Sequence, residues 1–344
     1  MTKHPLRSIG RTSILSCGEY ACALRGGALG RRILCPSRGR ERYLRYRNKG
    51  LHPLRRWRVY PCVLCIHDNP LRVLSRIQSL DRKIEVYRRD MRVIGVYLSG
   101  TGNTKHCVEN LVNLIDDTAQ CFPLEHPQIE HVIEKQDEII LGYPTQFSNA
   151  PYMVRDFIIK NGSLWPGKKV FCVNTMGLFS GDGTGCTARI LKKYNAEILG
   201  GLQLLMPDSV CDSKLLKKSI EVNRQIVKKA DKRIEQAAEQ IRQGNYPQEG
   251  LSFIAHIKGL FGQRLWFYRK TVGYTDKLKI SDVCVGCGLC AKECPKGNIQ
   301  IEDKKAVPGN QCTMCYRCIS LCPHKAITLL GDQVIEQCRY EKYQ

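Results

Sequence analysis

Val93-Ile94-Gly95-Val96-Tyr97-Leu98-Ser99-Gly100-Thr101-Gly102-Asn103-Thr104 is the stretch on which the reading of this chain turns. Its first six residues are apolar without alternation, the pattern of a strand covered on both faces. The next six are glycine, asparagine or hydroxylated, and a helix-compatible run continues from about 104 to 115. Such a turn gathers backbone N–H groups and three hydroxyls (Ser99, Thr101, Thr104) at a helix N-terminus, a setting that suits a phosphate. The Gly-Lys-[Ser/Thr] ending of a nucleoside-triphosphate loop is missing, and so is the G-x-G-x-x-G of dinucleotide folds. The turn therefore fits a terminal phosphomonoester.

Further strands are expected near 139–142 and 170–173, with a weaker one at 201–206. Helices are expected near 152–160 and 187–194. Strands alternating with helices predict an α/β fold with a doubly wound parallel sheet. The hexapeptide 99–104, with the strand before it, is similar to the phosphate loop of flavodoxins, and the resemblance spans about residues 91–243. It implies an FMN cofactor held by Ser99, Gly100, Thr101, Gly102, Asn103 and Thr104. It also implies two loops over the flavin ring, at the carboxyl ends of strands where ligands of such sheets bind. The first, residues 142–151, offers Tyr143, Pro144, Thr145, Gln146 and Phe147; Tyr143 or Phe147 is expected to stack on the isoalloxazine. The second, residues 174–181, offers Met176 and Gly177.

Near the C-terminus the pattern C-x2-C-x2-C-x3-C-P occurs twice. Cys284, Cys287, Cys290 and Cys294-Pro295 form one copy; Cys312, Cys315, Cys318 and Cys322-Pro323 form the other. Three closely spaced thiolates wrap one cubane cluster, and the fourth points to the other. This assigns Cys284, Cys287, Cys290 and Cys322 to one [4Fe-4S] cluster, and Cys312, Cys315, Cys318 and Cys294 to a second. A structural zinc site uses four ligands, commonly as two pairs, and leaves the third cysteine and the Cys-Pro unexplained. Gly286 and Gly288 leave room for backbone N–H groups near sulfide. The unit, roughly residues 278–331, resembles the bacterial two-cluster ferredoxins, a small α+β domain. The order of parts, from Met91 to about Gly331, resembles a family of flavodoxin–ferredoxin fusion proteins.

Of the 344 residues, 54 are Lys or Arg and 32 are Asp or Glu, a net charge of +22. Residues 1–90 carry +15 of this, with 18 Arg, no persistent period and five of the 19 cysteines. They read as an extension that forms no folded domain, with Met91 as a working start; a nucleic-acid-binding arm and a targeting presequence are the weaker readings. The expected organisation is an extension (1–90), a flavodoxin-like domain (91–244), a linker (245–277), a ferredoxin-like domain (278–331) and a tail (332–344). Within the second part, 214–243 reads as one amphipathic helix with Leu216, Ile220, Val227, Ala230, Ile234 and Ala238 on its apolar stripe. Within the linker, 251–270 reads as an amphipathic helix, either packed between domains or lying on a membrane surface.

No apolar run approaches the ~18 residues of a membrane span, and no export signal precedes the cysteines, so a reducing cytoplasmic setting and metal ligation are expected. The eight histidines are scattered, and no nucleophile motif appears. The expected function is intracellular electron transfer through FMN and two [4Fe-4S] clusters, with redox proteins, acidic ferredoxins among them, as partners and no nucleic acid. An FMN-dependent reductase fed by the clusters is one alternative. A partner-binding module with an empty flavodoxin-like domain is another.

Overall fold

The computed structural model describes residues 13–17, 20–27, 30–34 and 93–344. The chain divides into two units, residues 1–74 and 75–344. In the first, β1 (Ser13–Cys17), β2 (Tyr20–Gly27) and β3 (Gly30–Leu34) pair antiparallel in that order. These strands carry no persistent alternation, which is why the sequence reading has none here. The rest of the expectation for residues 1–90 lies outside the described residues.

In the second unit, β4 (Val93–Tyr97), β5 (Cys121–Pro123), β6 (Glu138–Pro144), β7 (Lys169–Met176) and β8 (Glu197–Leu205) form a parallel sheet ordered β5-β4-β6-β7-β8. Counted along the chain, that is 2-1-3-4-5, the flavodoxin-like order. Helices α1 (Asn103–Ile115), α2 (Ile129–Glu134), α3 (Tyr152–Lys160), α4 (Gly183–Lys192) and α5 (Ile220–Arg242) connect or follow the strands. Side chains of β4 alternate across the sheet. Val93 and Tyr97 join Leu111, Val227 and Ile234 under α1 and α5. Ile94, Val96 and Leu98 join Ile133, Val154 and Trp165 on the other face. Burial on both sides explains the unbroken apolar run. The edge strand β5 has only three half-buried residues, too short for a periodic signal.

Helix α5 starts later than its sequence suggests. Ser219 caps it, its hydroxyl accepting from the Val222 N–H, and capping residues set such starts. Leu216 is half-buried and Ile220 exposed. The buried stripe is instead Ile226, Val227, Ala230, Ile234, Ala238 and Ile241. Lys217 lies before the helix and turns inward, its ammonium 2.8 Å from Asp208 Oδ2 and 2.6 Å from the Val210 carbonyl. After α5, residues 246–250 run beside β8, with the Gly201 N–H donating to the Pro247 carbonyl at 2.8 Å. A helical segment follows: α6 (Phe253–Gly259), a π turn (Leu260–Arg264) and α7 (Leu265–Val272).

The C-terminal part contains β9 (Lys279–Ile280), α8 (Leu289–Glu293), β10 (Ile299–Glu302), β11 (Lys305–Pro308), α9 (Arg317–Leu321) and β12 (Ile327–Thr328). β9 pairs with β12 and β10 with β11, both antiparallel, so the first and last strands close a small domain. Leu278, Ile299, Tyr316, Ile319 and Leu329 fill its core, together with Cys211 from the loop after β8. That loop is stitched in place. Asp212 accepts from the Tyr316 hydroxyl at 3.0 Å and from the Leu329 and Leu330 N–H groups at 2.6 and 2.9 Å. The tail then returns to the sheet domain. Ile335 and Glu336 donate their N–H groups to the Cys211 carbonyl, Tyr340 stacks on His106 with ring centres 4.1 Å apart, and Tyr343 enters the α1–α5 core. Among the described residues, no helix is long and apolar enough to cross a membrane.

Candidate cofactor sites

The eight repeat cysteines gather around two cavities. Cys284, Cys287, Cys290 and Cys322 line one, beside Ile301, Ala306 and Ile327. Cys294, Cys312, Cys315 and Cys318 line the other, beside Leu278, Ile319 and Leu329. Each cavity thus takes three thiols from one repeat and the fourth from the other. Among the described residues, no group of three or more such side chains is placed to hold a single metal ion. The donor chemistry and the grouping fit an iron–sulfur cube in each.

Backbone N–H groups already aim at three of the sulfurs. Asn298 donates to Cys294 at 3.2 Å, Ala326 to Cys322 at 3.4 Å and Ala306 to Cys284 at 3.5 Å. Such bonds tune a cluster's potential, and sequence spacing does not reveal them. Gly286 and Gly288 adopt φ of 65° and 78°, the left-handed turn that lets the chain wrap the first cavity. Burial pushes the Cys312 thiol up to about 11 and raises Cys290, Cys315 and Cys318 as well. Ligation of iron by these thiols releases protons, so loading weakens as pH falls.

The turn 99–104 sits at the carboxyl edge of the sheet, between β4 and α1. Gly102 takes φ 94° ahead of the helix, and its N–H donates to Ser99 Oγ at 3.2 Å. The Thr101 hydroxyl meets Ser209 at 2.9 Å, the Thr104 hydroxyl meets Thr175 at 2.8 Å, and the Asn103 amide donates to the Pro207 carbonyl at 2.8 Å. Asn103 Oδ1 is buried without a partner. Among the described hydrogen bonds, none is donated by the N–H groups of Thr101, Asn103 or Thr104. These donors fit a phosphate.

The turn is also covered. A Cβ at Gly100 would stand 1.7 Å from the Cys315 carbonyl oxygen, so the peptide of a cavity-lining cysteine lies directly on the loop. Tyr340 covers Gly102 and donates its N–H to the Thr101 carbonyl at 2.9 Å. Arg317 clamps the contact: its guanidinium donates to the Ser99 carbonyl at 2.8 Å and the Glu293 carbonyl at 3.2 Å, and pairs with Glu125 at 2.5 Å.

The two other loops depart from expectation at one residue. Tyr143 cannot stack on a flavin ring: it is fully buried, with its hydroxyl donating to the Gly183 carbonyl at 3.1 Å. Strand β6 runs on to Pro144, and its alternation turns Tyr143 into the core. Pro144 ends that strand. Thr145 donates to Asn174 at 2.6 Å, and Phe147 occupies a left-handed turn with φ 49°. Gln146 reaches the other domain, its amide donating to the Thr313 carbonyl at 2.9 Å. Met176 closes β7, where its carbonyl accepts from the Met206 N–H at 2.8 Å, and Gly177 follows it. Sequence reasoning missed Arg317 and Asp212, whose partners lie 24 to 218 residues away.

Residues 283–326 match the family described as a 4Fe-4S dicluster domain. Among curated proteins, the chain is 45% identical over 47 residues to one component of an ion-translocating oxidoreductase complex from Methanosarcina acetivorans, covering 13% of this chain and 18% of that protein. It is 32% identical over 66 residues to an uncharacterized ferredoxin from Methanocaldococcus jannaschii, covering 17% and 42%. The chain therefore spans less than half the length of these relatives. The solution structure of two-electron reduced Megasphaera elsdenii flavodoxin aligns with 43% of this chain and 98% of its own, at 24% identity and a TM-score of 0.32. The chain thus joins a parallel sheet of flavodoxin-like order to a segment that matches the 4Fe-4S dicluster family.

Proposed function

We propose that the chain transfers electrons inside the cell through FMN and two [4Fe-4S] clusters. One observation carries this reading: Cys315, which lines the second cysteine cavity, lies with its carbonyl on Gly100 of the phosphate loop. The cysteine cavity and the loop proposed for the flavin phosphate are thereby neighbours. Iron–sulfur clusters exchange single electrons, and a flavin takes up two and releases them singly. Cys284, Cys287, Cys290 and Cys322 would hold one cluster, and Cys294, Cys312, Cys315 and Cys318 the other. The N–H groups of Thr101, Asn103 and Thr104 would hold the flavin phosphate. Phe147, no longer Tyr143, is the aromatic left to meet the ring. Arg317 keeps the second cavity against the loop. Exposed Arg224, Lys228, Lys229 and Lys232 on α5 would steer acidic redox partners, small ferredoxins among them.

The test is anaerobic reconstitution of the whole chain, with iron, sulfide and flavin counted. Roughly eight irons and eight sulfides are expected per chain, together with FMN bound far more tightly than riboflavin. Cys290→Ser should lose about half the iron while leaving FMN affinity unchanged. Uptake of zinc without sulfide would overturn the cluster assignment, and equal affinity for FMN and riboflavin would overturn the phosphate loop. Electron transfer from a reduced acidic ferredoxin should slow as salt rises, because charge steering is screened over about 8 Å at physiological ionic strength.

A further inference from the structure

The helical segment 253–272 is turned the opposite way from an ordinary packed helix. Its polar side faces the protein. His256 Nδ1 lies 2.8 Å from Asp182 Oδ2, and Arg264 pairs with the same fully buried carboxylate and donates to the Ser148 carbonyl at 2.7 Å. The backbones of Gly181 and Gly259 touch, with a Cβ at Gly181 only 2.5 Å from Gly259 Cα. Its apolar side faces outward. Phe253, Ile254, Ile257, Phe261, Leu265 and Trp266 are between 41% and 74% exposed. Leu178 and Phe179, from the loop after β7, extend the patch, and Phe179 lies beside Gly262. Contiguous exposed apolar surface of this kind marks an interaction site.

Charge and hydrogen bonding select the partner. Between Leu251 and Thr275 the sequence holds no Asp or Glu, and besides Arg264, which Asp182 neutralises, it holds Lys258, Arg269 and Lys270. With no acid in the segment, two copies of this face have no opposite charges to pair. The Trp266 indole N–H already donates to the Phe261 carbonyl at 3.1 Å, so its ring can enter a medium without hydrogen-bond partners and leave no orphan donor. Aromatic and aliphatic side chains on one helix face, in a segment that holds cations and no acid, are the composition of helices that lie in a membrane interface.

We infer that the 253–272 helix, with Leu178 and Phe179, is a docking surface for an anionic phospholipid bilayer, holding the protein on a membrane without spanning it. Co-sedimentation of the whole chain with phosphatidylcholine vesicles, with and without phosphatidylglycerol, tests it. Binding is expected to the anionic vesicles, several-fold weaker to the neutral ones and weaker again in 0.5 M salt. Tryptophan emission should shift to the blue on binding. Phe261→Glu and Ile254→Glu should each weaken binding on the order of tenfold, with iron content unchanged, and Phe261→Leu should retain it. No binding to either vesicle overturns the inference. So does binding that ignores both lipid charge and salt. A concentration-dependent dimer abolished by Phe261→Glu, without vesicle binding, would assign the face to a second copy instead.

Discussion

At the residue scale, Asp212 shows how a single side chain couples the two domains. It belongs to the loop after the sheet, yet its carboxylate takes one hydroxyl and two N–H groups from the cysteine-rich domain. Burial and the Asp212 charge push the Tyr316 phenol upward from its ordinary range, so the hydroxyl stays protonated and donates. Tyr316→Phe would leave Asp212 Oδ1 buried without this donor. The expected cost is about 1–3 kcal/mol, read as a fall of several degrees in melting temperature by calorimetry. A variant that melts with the parent would show that this bond contributes nothing to joining the domains. Tyr143 teaches the converse lesson. Its sequence neighbours suggested a ring-stacking role, but one more turn of strand alternation places it inside the core.

At the element scale, the helical segment 253–272 is held by a buried acid. Burial acts to raise the Asp182 carboxyl, but contacts from His256, Arg189 and Arg264 outweigh it and hold the group below its usual value. Cys186 also faces this carboxylate, and burial pushes its thiol up to about 11, so it stays neutral. A carboxylate depressed in the folded state contributes stability above the ordinary carboxyl range, about pH 4, and that contribution is lost as pH falls through the folded value. Docking of the helix should therefore hold from neutral pH down to about 4 and loosen below it. Limited proteolysis between residues 251 and 275 across this range would report it. Asp182→Asn should leave the segment cleavable even at pH 7. Equal protection in the variant would show that Gly181–Gly259 packing is sufficient.

At the scale of the whole molecule, the two ends of the chain are expected to behave differently. Removing residues 1–90 should leave cofactor content and melting temperature unchanged, because the sheet starts at Val93 and its strands find their partners within 93–344. Removing residues 332–344 should lower both stability and protection of the phosphate loop. It would take out Tyr343 from the core, the Tyr340–His106 stack and the N–H bonds to Cys211. Side-by-side thermal melts of the two truncated chains make the comparison. A drop for the first, or none for the second, would reverse the assignment of which terminus the fold uses.

The parallel sheet and the doubled cysteine repeat were legible in the sequence because each rests on local pattern: the apolar run at 93–98, strand–helix alternation, and a spacing repeated twice. Strand β5 and the start of α5 were not, since three half-buried residues carry no period and a serine cap decides a boundary that hydrophobicity blurs. What only the tertiary structure decided lies between segments remote in the chain. Cys315 rests on Gly100, Arg317 on Ser99 and Glu125, Asp182 on Arg264, and the apolar face of 253–272 points outward. The amphipathic pattern of that helix was plain, but which face the protein keeps depends on a buried carboxylate some seventy residues earlier. Local spacing specifies what a segment can form; long-range pairing of charges and close backbone contacts specify which way it faces.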